Sequence, residues 1–149
     1  MLAEERKTIL IVEDEEHLAD ALSHNLQFEG YSTTQAEDGE EGLKLAQNIQ
    51  FDLIILDVMM PGMDGFETCR RLKAEPNTQD VPVIFVTAKA ETDSIVNGFE
   101  TGGVDYVVKP FQAEEVLARV RTHLRIVRLA REVERTCTVL RTHVEGSRG

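Results

Sequence analysis

Phe51-Asp-Leu-Ile-Ile-Leu-Asp57 carries an apolar run, Leu53 to Leu56, into an acid, and Val58-Met-Met-Pro-Gly-Met-Asp-Gly65 then breaks the chain. A short apolar run bounded by turn formers reads as a strand buried on both faces. Two more stretches have the same form. Thr8-Ile-Leu-Ile-Val12 runs into Glu13-Asp14, and Val104-Asp-Tyr-Val-Val108 runs into Lys109-Pro110. In an open parallel sheet the carboxyl ends of the strands form the ligand crevice. Acids and a lysine from distant parts of the chain are therefore expected on one rim. Clustered carboxylates repel one another unless a cation joins them, and the lysine suits a second anion. The chemistry implied is a divalent metal plus a phosphoryl group.

Working outward, strand and helix signals alternate, the pattern of βαβ units around a parallel sheet. Strands are expected at 8–12, 31–36, 51–56, 81–86 and 104–108. Helices are expected at 16–29, 39–48, 65–74 and 92–101, with a last one beginning near Ala113. In the first helix Leu18, Leu22, Leu26 and Phe28 are expected to face inward, with Gly30 as the stop. In the second, Leu43 and Ile49 are expected inward and Asp38 caps the start. Asp64 is read in the same way, as a cap or turn former. Met59, Met60 and Met63 are read as apolar cover beside the rim. His17, His24, His123 and His143 show no partner spacing and are read as surface residues.

With 149 residues, 42% apolar and 29% charged, the chain suits one soluble domain with a sizeable core. Its net charge of −11 is unevenly spread. Residues 1–111 hold 8 Lys/Arg against 22 Asp/Glu, whereas residues 112–149 hold 8 Arg against 5 Glu. So acidic a body argues against direct nucleic-acid binding, which needs a basic face. No apolar run is long enough to cross a membrane, and the N-terminus lacks a signal-peptide core. Cys69 and Cys137 have no metal-ligand spacing, so a reducing, cytoplasmic setting is expected.

The last helix outruns a small domain. From Val116 its apolar positions 120, 124, 127, 130, 133, 137, 140 and 144 average a step of 3.5, the coiled-coil period. The steps are uneven, however, and Thr136, Thr138 and Thr142 weaken the tail as a helix. The helix is expected to reach about residue 140, and its uncovered stripe to serve dimerisation or signal transfer.

At the rim, Asp57 can act as a nucleophile toward phosphorus and form an aspartyl-phosphate. Such transfer needs positioning and cations on the equatorial oxygens more than covalent help. Glu13, Asp14 and Asp57 suit Mg²⁺, a hard ion that keeps waters and shares a phosphate; Mn²⁺ offers the same chemistry. Lys109 supplies a second cation, Thr87 a hydroxyl donor, and Ala88 beside it a small neighbour that leaves an approach path.

Ile9-Leu-Ile-Val-Glu-Asp-Glu15, Asp52 to Gly65, Val83-Ile-Phe-Val-Thr-Ala-Lys89 and Gly102-Gly-Val-Asp-Tyr-Val-Val-Lys-Pro-Phe111 together resemble the receiver domain of two-component response regulators. The resemblance covers about residues 7–125 and leaves 126–149 as a helical extension or linker. It implies a flavodoxin-like fold, a doubly wound five-stranded parallel sheet of the (βα)5 type. It implies that Asp57 accepts the phosphoryl group, and that Asp14, Asp57 and the Met59 backbone carbonyl ligate the metal. Glu13 stands where the family often has an aspartate, and its longer side chain is expected to reach the metal through water. The resemblance makes Thr87, Ala88 and Lys109 phosphate-binding, Thr87 and Tyr106 the switch pair, and the bond before Pro110 cis. The partner it implies is a histidine kinase or phosphotransfer protein. The surface expected to change is the fourth helix, fifth strand and last helix, which is also a candidate dimer face beside the C-terminal helix.

Two rivals belong to other classes. An Mg²⁺-dependent phosphohydrolase of the haloacid-dehalogenase kind wants an acid two residues after the nucleophile, and Met59 stands there. A receiver fold used only as a scaffold has no need of Asp14, Asp57, Thr87 and Lys109 together. Residues 126–149 are too few for a DNA-binding domain, so the chain is expected either to act alone or to be the front of a longer protein.

Overall fold

The computed structural model describes residues 6–147, with side chains described to residue 141. Five strands alternate with five helices: β1 (Thr8–Val12), α1 (Glu16–Phe28), β2 (Ser32–Ala36), α2 (Gly39–Asn48), β3 (Leu53–Leu56), α3 (Gly65–Ala74), β4 (Val83–Thr87), α4 (Thr92–Glu100), β5 (Asp105–Val108) and α5 (Ala113–Ser147). All neighbouring strands are parallel, in the order β2-β1-β3-β4-β5. The order reverses between β1 and β3, so a crevice opens beyond their carboxyl ends. Val12↔Leu56 is the last register pair there, which leaves Glu13 and Asp57 next to each other on the rim.

Strand residues alternate between two cores because successive side chains leave opposite faces. Ile9, Ile11, Ile55 and Val86 meet α1 and α5 through Leu22, Leu26, Val116 and Val120. Leu10, Val12, Leu56 and Phe85 meet α2 and α3 through Leu43, Phe66, Cys69 and Leu72. Each fully buried aliphatic side chain contributes roughly 1.5–3 kcal/mol to folding. The helix starts are capped as the residue types dictate. Asp38 Oδ1 accepts from Glu41 N at 2.8 Å, Asp64 Oδ1 from Glu67 N at 2.9 Å and Glu15 Oε2 from Leu18 N at 3.1 Å.

Several expectations are corrected. Phe28 is 86% exposed, because two residues past Leu26 a helix turns about 200° and points the ring away from the core. Ile49 is exposed as well: it is the C-cap of α2, in extended backbone, and no longer follows the inner face. His123 is half-buried, its Nε2 3.0 Å from Asp105 Oδ2, a partner that tertiary packing supplies and spacing does not. The helix α5 runs past residue 140 to Ser147. Thr138 does not end it, because its hydroxyl donates to the Glu134 carbonyl one turn back at 2.9 Å. Among the described residues no helix is long and apolar enough to cross a membrane.

Candidate functional site

The rim of the sheet gathers the acids and the lysine. A ligand oxygen from each of Glu13, Asp14 and Asp57 lies within 4.8 Å of the others. Asp14 is exposed, whereas Glu13 and Asp57 are buried. Lys109 Nζ donates to Glu13 Oε1 at 2.7 Å and to Asp57 Oδ2 at 3.0 Å. The other Asp57 oxygen, Oδ1, accepts from Met59 N at 3.0 Å. Each element places its residue by ending at the same edge: Glu13 and Asp14 follow β1, Asp57 follows β3 and Lys109 follows β5. The Lys109 N–H donates to Thr87 O at 2.8 Å, fixing the end of β5 to the end of β4. The Lys109–Pro110 peptide is cis.

Charge is unbalanced here. Three carboxylates share one ammonium. Burial lifts the Glu13 carboxyl from 4.5 to about 7, against the pull of the Lys109 hydrogen bond, and the Asp57 charge adds to the rise. Burial works against the Lys109 ammonium, yet hydrogen bonds to Glu13 and Asp57 hold its pKa above the ordinary value. Clustered carboxylate oxygens with too little positive charge form a donor set that suits a hard divalent cation.

The state of Glu13 has a measurable consequence. A carboxyl whose folded pKa exceeds its unfolded value takes up a proton on folding, so its contribution is lost as pH rises between the two. In protein stripped of divalent cations, stability is expected to fall between pH 4.5 and about 7 in the wild type, and less steeply in Glu13→Gln. Denaturant unfolding of both across this window checks it, and parallel profiles would remove Glu13 as the cause.

Thr87 and Tyr106 stand beside this network. Thr87 is fully buried at the end of β4, and its hydroxyl accepts from Lys89 N at 3.4 Å. Ala88 is exposed next to it. The Tyr106 hydroxyl donates to Lys89 O at 2.7 Å, and its ring lies against Phe85 with centroids 5.8 Å apart. Both residues therefore hold the same turn after β4. Gly98 of α4 permits this: a Cβ there would stand 2.9 Å from the Tyr106 ring.

Sequence reasoning missed two features. One is the direct bond from Lys109 to a buried Glu13, the residue expected to reach the metal through water. The only signal was that its side chain could reach the lysine at all. Asp105 also escaped notice, although it accepts from Arg119 at 3.2 Å and contacts His123, tying β5 to α5. Its position two residues into an apolar run was the available clue.

The chain resembles known proteins along its whole folded body. Residues 9–121 match the response regulator receiver domain family. The DNA-binding dual master transcriptional regulator RpaA of Synechocystis is 46% identical over 117 residues, 78% of this chain and 48% of that protein. The response regulator ArlR of Staphylococcus aureus is 46% identical over 117 residues, 78% of this chain and 52% of that one. The chain thus spans about half the length of the curated relatives it matches. Among solved structures, a putative response regulator from Chloroflexus aurantiacus superposes with a TM-score of 0.78 at 36% identity, covering 81% of this chain and 99% of that one. The chemotaxis protein CheY4 of Vibrio cholerae gives a TM-score of 0.76 at 32% identity, covering 79% of this chain and 98% of that one. Strand order, the acid–lysine rim and the match over residues 9–121 agree, and the chain belongs to the response regulator receiver domain family.

Proposed function

We propose that this chain is a phosphorylation switch that takes a phosphoryl group on Asp57 from a histidine kinase or phosphotransfer protein, in the cytoplasm. The observation that carries it is the paired hold on one carboxylate: Lys109 on Oδ2 at 3.0 Å and the Met59 N–H on Oδ1 at 3.0 Å. A carboxylate so fixed is pre-oriented for in-line attack on phosphorus. The Asp57 oxygen forms the O–P bond, the P–N bond of a phosphohistidine breaks with its electron pair left on nitrogen, and the released imidazole takes a proton from solvent water. Lys109 then faces a dianion in place of a carboxylate and remains its counter-charge. Asp14, Asp57, Glu13 and the Met59 carbonyl would hold Mg²⁺, which supplies positive charge to the phosphoryl oxygens when bound.

The readout runs through the turn after β4. Thr87 would donate its hydroxyl to a phosphoryl oxygen, giving up the Lys89 N–H. Tyr106, bonded to Lys89 O, would follow and turn inward, altering the face of α4, β5 and α5. Residues 7–125 form the phosphoacceptor unit and 126–149 the extension that passes the change on. The chain signals rather than turns over outside substrates, because the position two after Asp57 is Met59, which carries no acid.

The test is intact-mass analysis after incubation with a small phosphoryl donor. One phosphoryl group is expected with Mg²⁺ and none after chelation, with amide signals of α4 and β5 moving in the first case only. Uptake indifferent to chelation would refute the metal's part, and shifts confined to residues beside Asp57 would refute the switch.

A further inference from the structure

Helix α5 carries two apolar faces, and only one of them is used by the body. Val116 and Val120 are buried in the core, and Leu124 packs against it. Beyond Leu124 a different set is exposed: Ile126 is 52%, Val133 62% and Leu140 59% accessible, and Ala130 and Cys137 are exposed as well. Their steps, 126 to 130 to 133 to 137 to 140, alternate four and three without a break, and Val144 continues them in the sequence. This is a regular heptad seam, unlike the single uneven stripe that counting apolar residues yields. The two faces lie about 130° apart at 3.6 residues per turn, so holding the body leaves the seam free.

Charge is sorted around the seam. Arg121, Arg128 and Arg135 fall on the side opposite to it, with Arg125 and Arg131 flanking them. The flanking e and g positions are Val127, Leu129, Glu134, Thr136 and Arg141; exposed Leu129 widens the seam where it begins, whereas Val127 is half-buried on the side of the body. Among the exposed aliphatics of α5 in the described residues, Val139 alone lies away from the seam and its flank.

We infer that residues 126–144 pair with the same segment of a second copy as a parallel, in-register coiled coil. Whatever covers the seam must repeat the 3.5 period over the same length, and a second α5 does so with no charge in the buried layers. The parallel direction follows from Glu134. Aligned antiparallel layers would set Glu134 against the second copy's Glu134, whereas parallel layers lay Leu129 over its aliphatic stem. In the parallel pair Cys137 faces the second copy's Cys137 in one layer. Antiparallel pairing separates the two along the axis beyond disulfide reach.

Sedimentation of the full chain at tens of micromolar is expected to give the mass of two chains. Val133→Asp, which puts a carboxylate into the seam, is expected to give the mass of one. Val133 is exposed in the single chain, so unchanged thermal unfolding of the body shows that the variant is folded. A copper oxidant, taking two electrons and two protons from two thiols, is expected to link the dimer through Cys137, and Cys137→Ser to abolish the link. Cys69 is buried and does not compete. A monomeric full chain overturns the proposal and assigns the seam to a helix of another protein. A dimer indifferent to Val133→Asp overturns it by placing the contact on another face. A dimer that Val133→Asp breaks but oxidation cannot link overturns the parallel register.

Discussion

Asp57→Asn is expected to abolish phosphoryl uptake while leaving the fold intact. Asparagine has the shape of aspartate, and its Oδ1 can still accept the Met59 N–H that Asp57 accepts at 3.0 Å. What changes is chemistry. A neutral amide has no carboxylate lone pair to offer phosphorus, and Lys109 loses the oxygen it contacts at 3.0 Å. A fall of at least about a thousandfold is expected, equivalent to roughly 4 kcal/mol of barrier. Stability should not fall with it. The variant removes one negative charge from a cluster of acids that outnumber their lysine, so metal-free protein should unfold at the same or higher denaturant concentration. Intact mass after donor treatment reads the first effect and denaturant unfolding the second. Equal phosphorylation of wild type and variant would move the acceptor elsewhere.

Gly65→Ala is expected to be the most damaging single-methyl change near the rim. Gly65 opens α3, and its N–H donates to Val58 O at 3.0 Å. A Cβ built there would lie 2.2 Å from the Asp57 carbonyl oxygen and 2.7 Å from Val58 Cα. Both are backbone atoms of the segment that carries Asp57, and no side chain can rotate away to make room. Alanine in place of glycine favours a helix by about 1 kcal/mol, which offsets part of the cost. Overpacking against fixed backbone costs typically 1–3 kcal/mol and occasionally more, and this site belongs to the upper end. A net loss of roughly 2–3 kcal/mol is expected. Phosphoryl uptake should fall as well, because relieving the clash moves Asp57 off its donors. Stability equal to or above wild type in urea would show that the α3 start is looser than its packing implies.

The order of elements was legible because four of the five strands are short, mainly apolar runs, and β2, although polar, lies between two helical patterns. The rim was legible for the same reason: Glu13, Asp14, Asp57 and Lys109 each stand directly after a strand. What failed was orientation. Phe28 and Ile49 look like core when apolar residues are counted, and only the angle around the helix or the end of helical backbone turns them out. His123 acquires Asp105 from a strand 18 residues away, a contact set by how α5 crosses β5. The α5 seam was blurred because positions 120, 124 and 127 belong to one face and 126, 130 and 133 to another. Exposure separates them; spacing alone mixes them into one irregular stripe. The direct bond between Lys109 and Glu13 joins residues 96 apart and depends on a fold that brings a half-buried lysine against a buried acid.

The residue that holds the phosphoryl group can be read directly. Treatment of the wild-type protein with a small phosphoryl donor and Mg²⁺, followed by borohydride, reduces an acyl phosphate on aspartate to homoserine, and peptide mass mapping locates it. Homoserine at position 57, absent without donor, is the predicted result; homoserine at position 14 or 52 with position 57 still aspartate would contradict it.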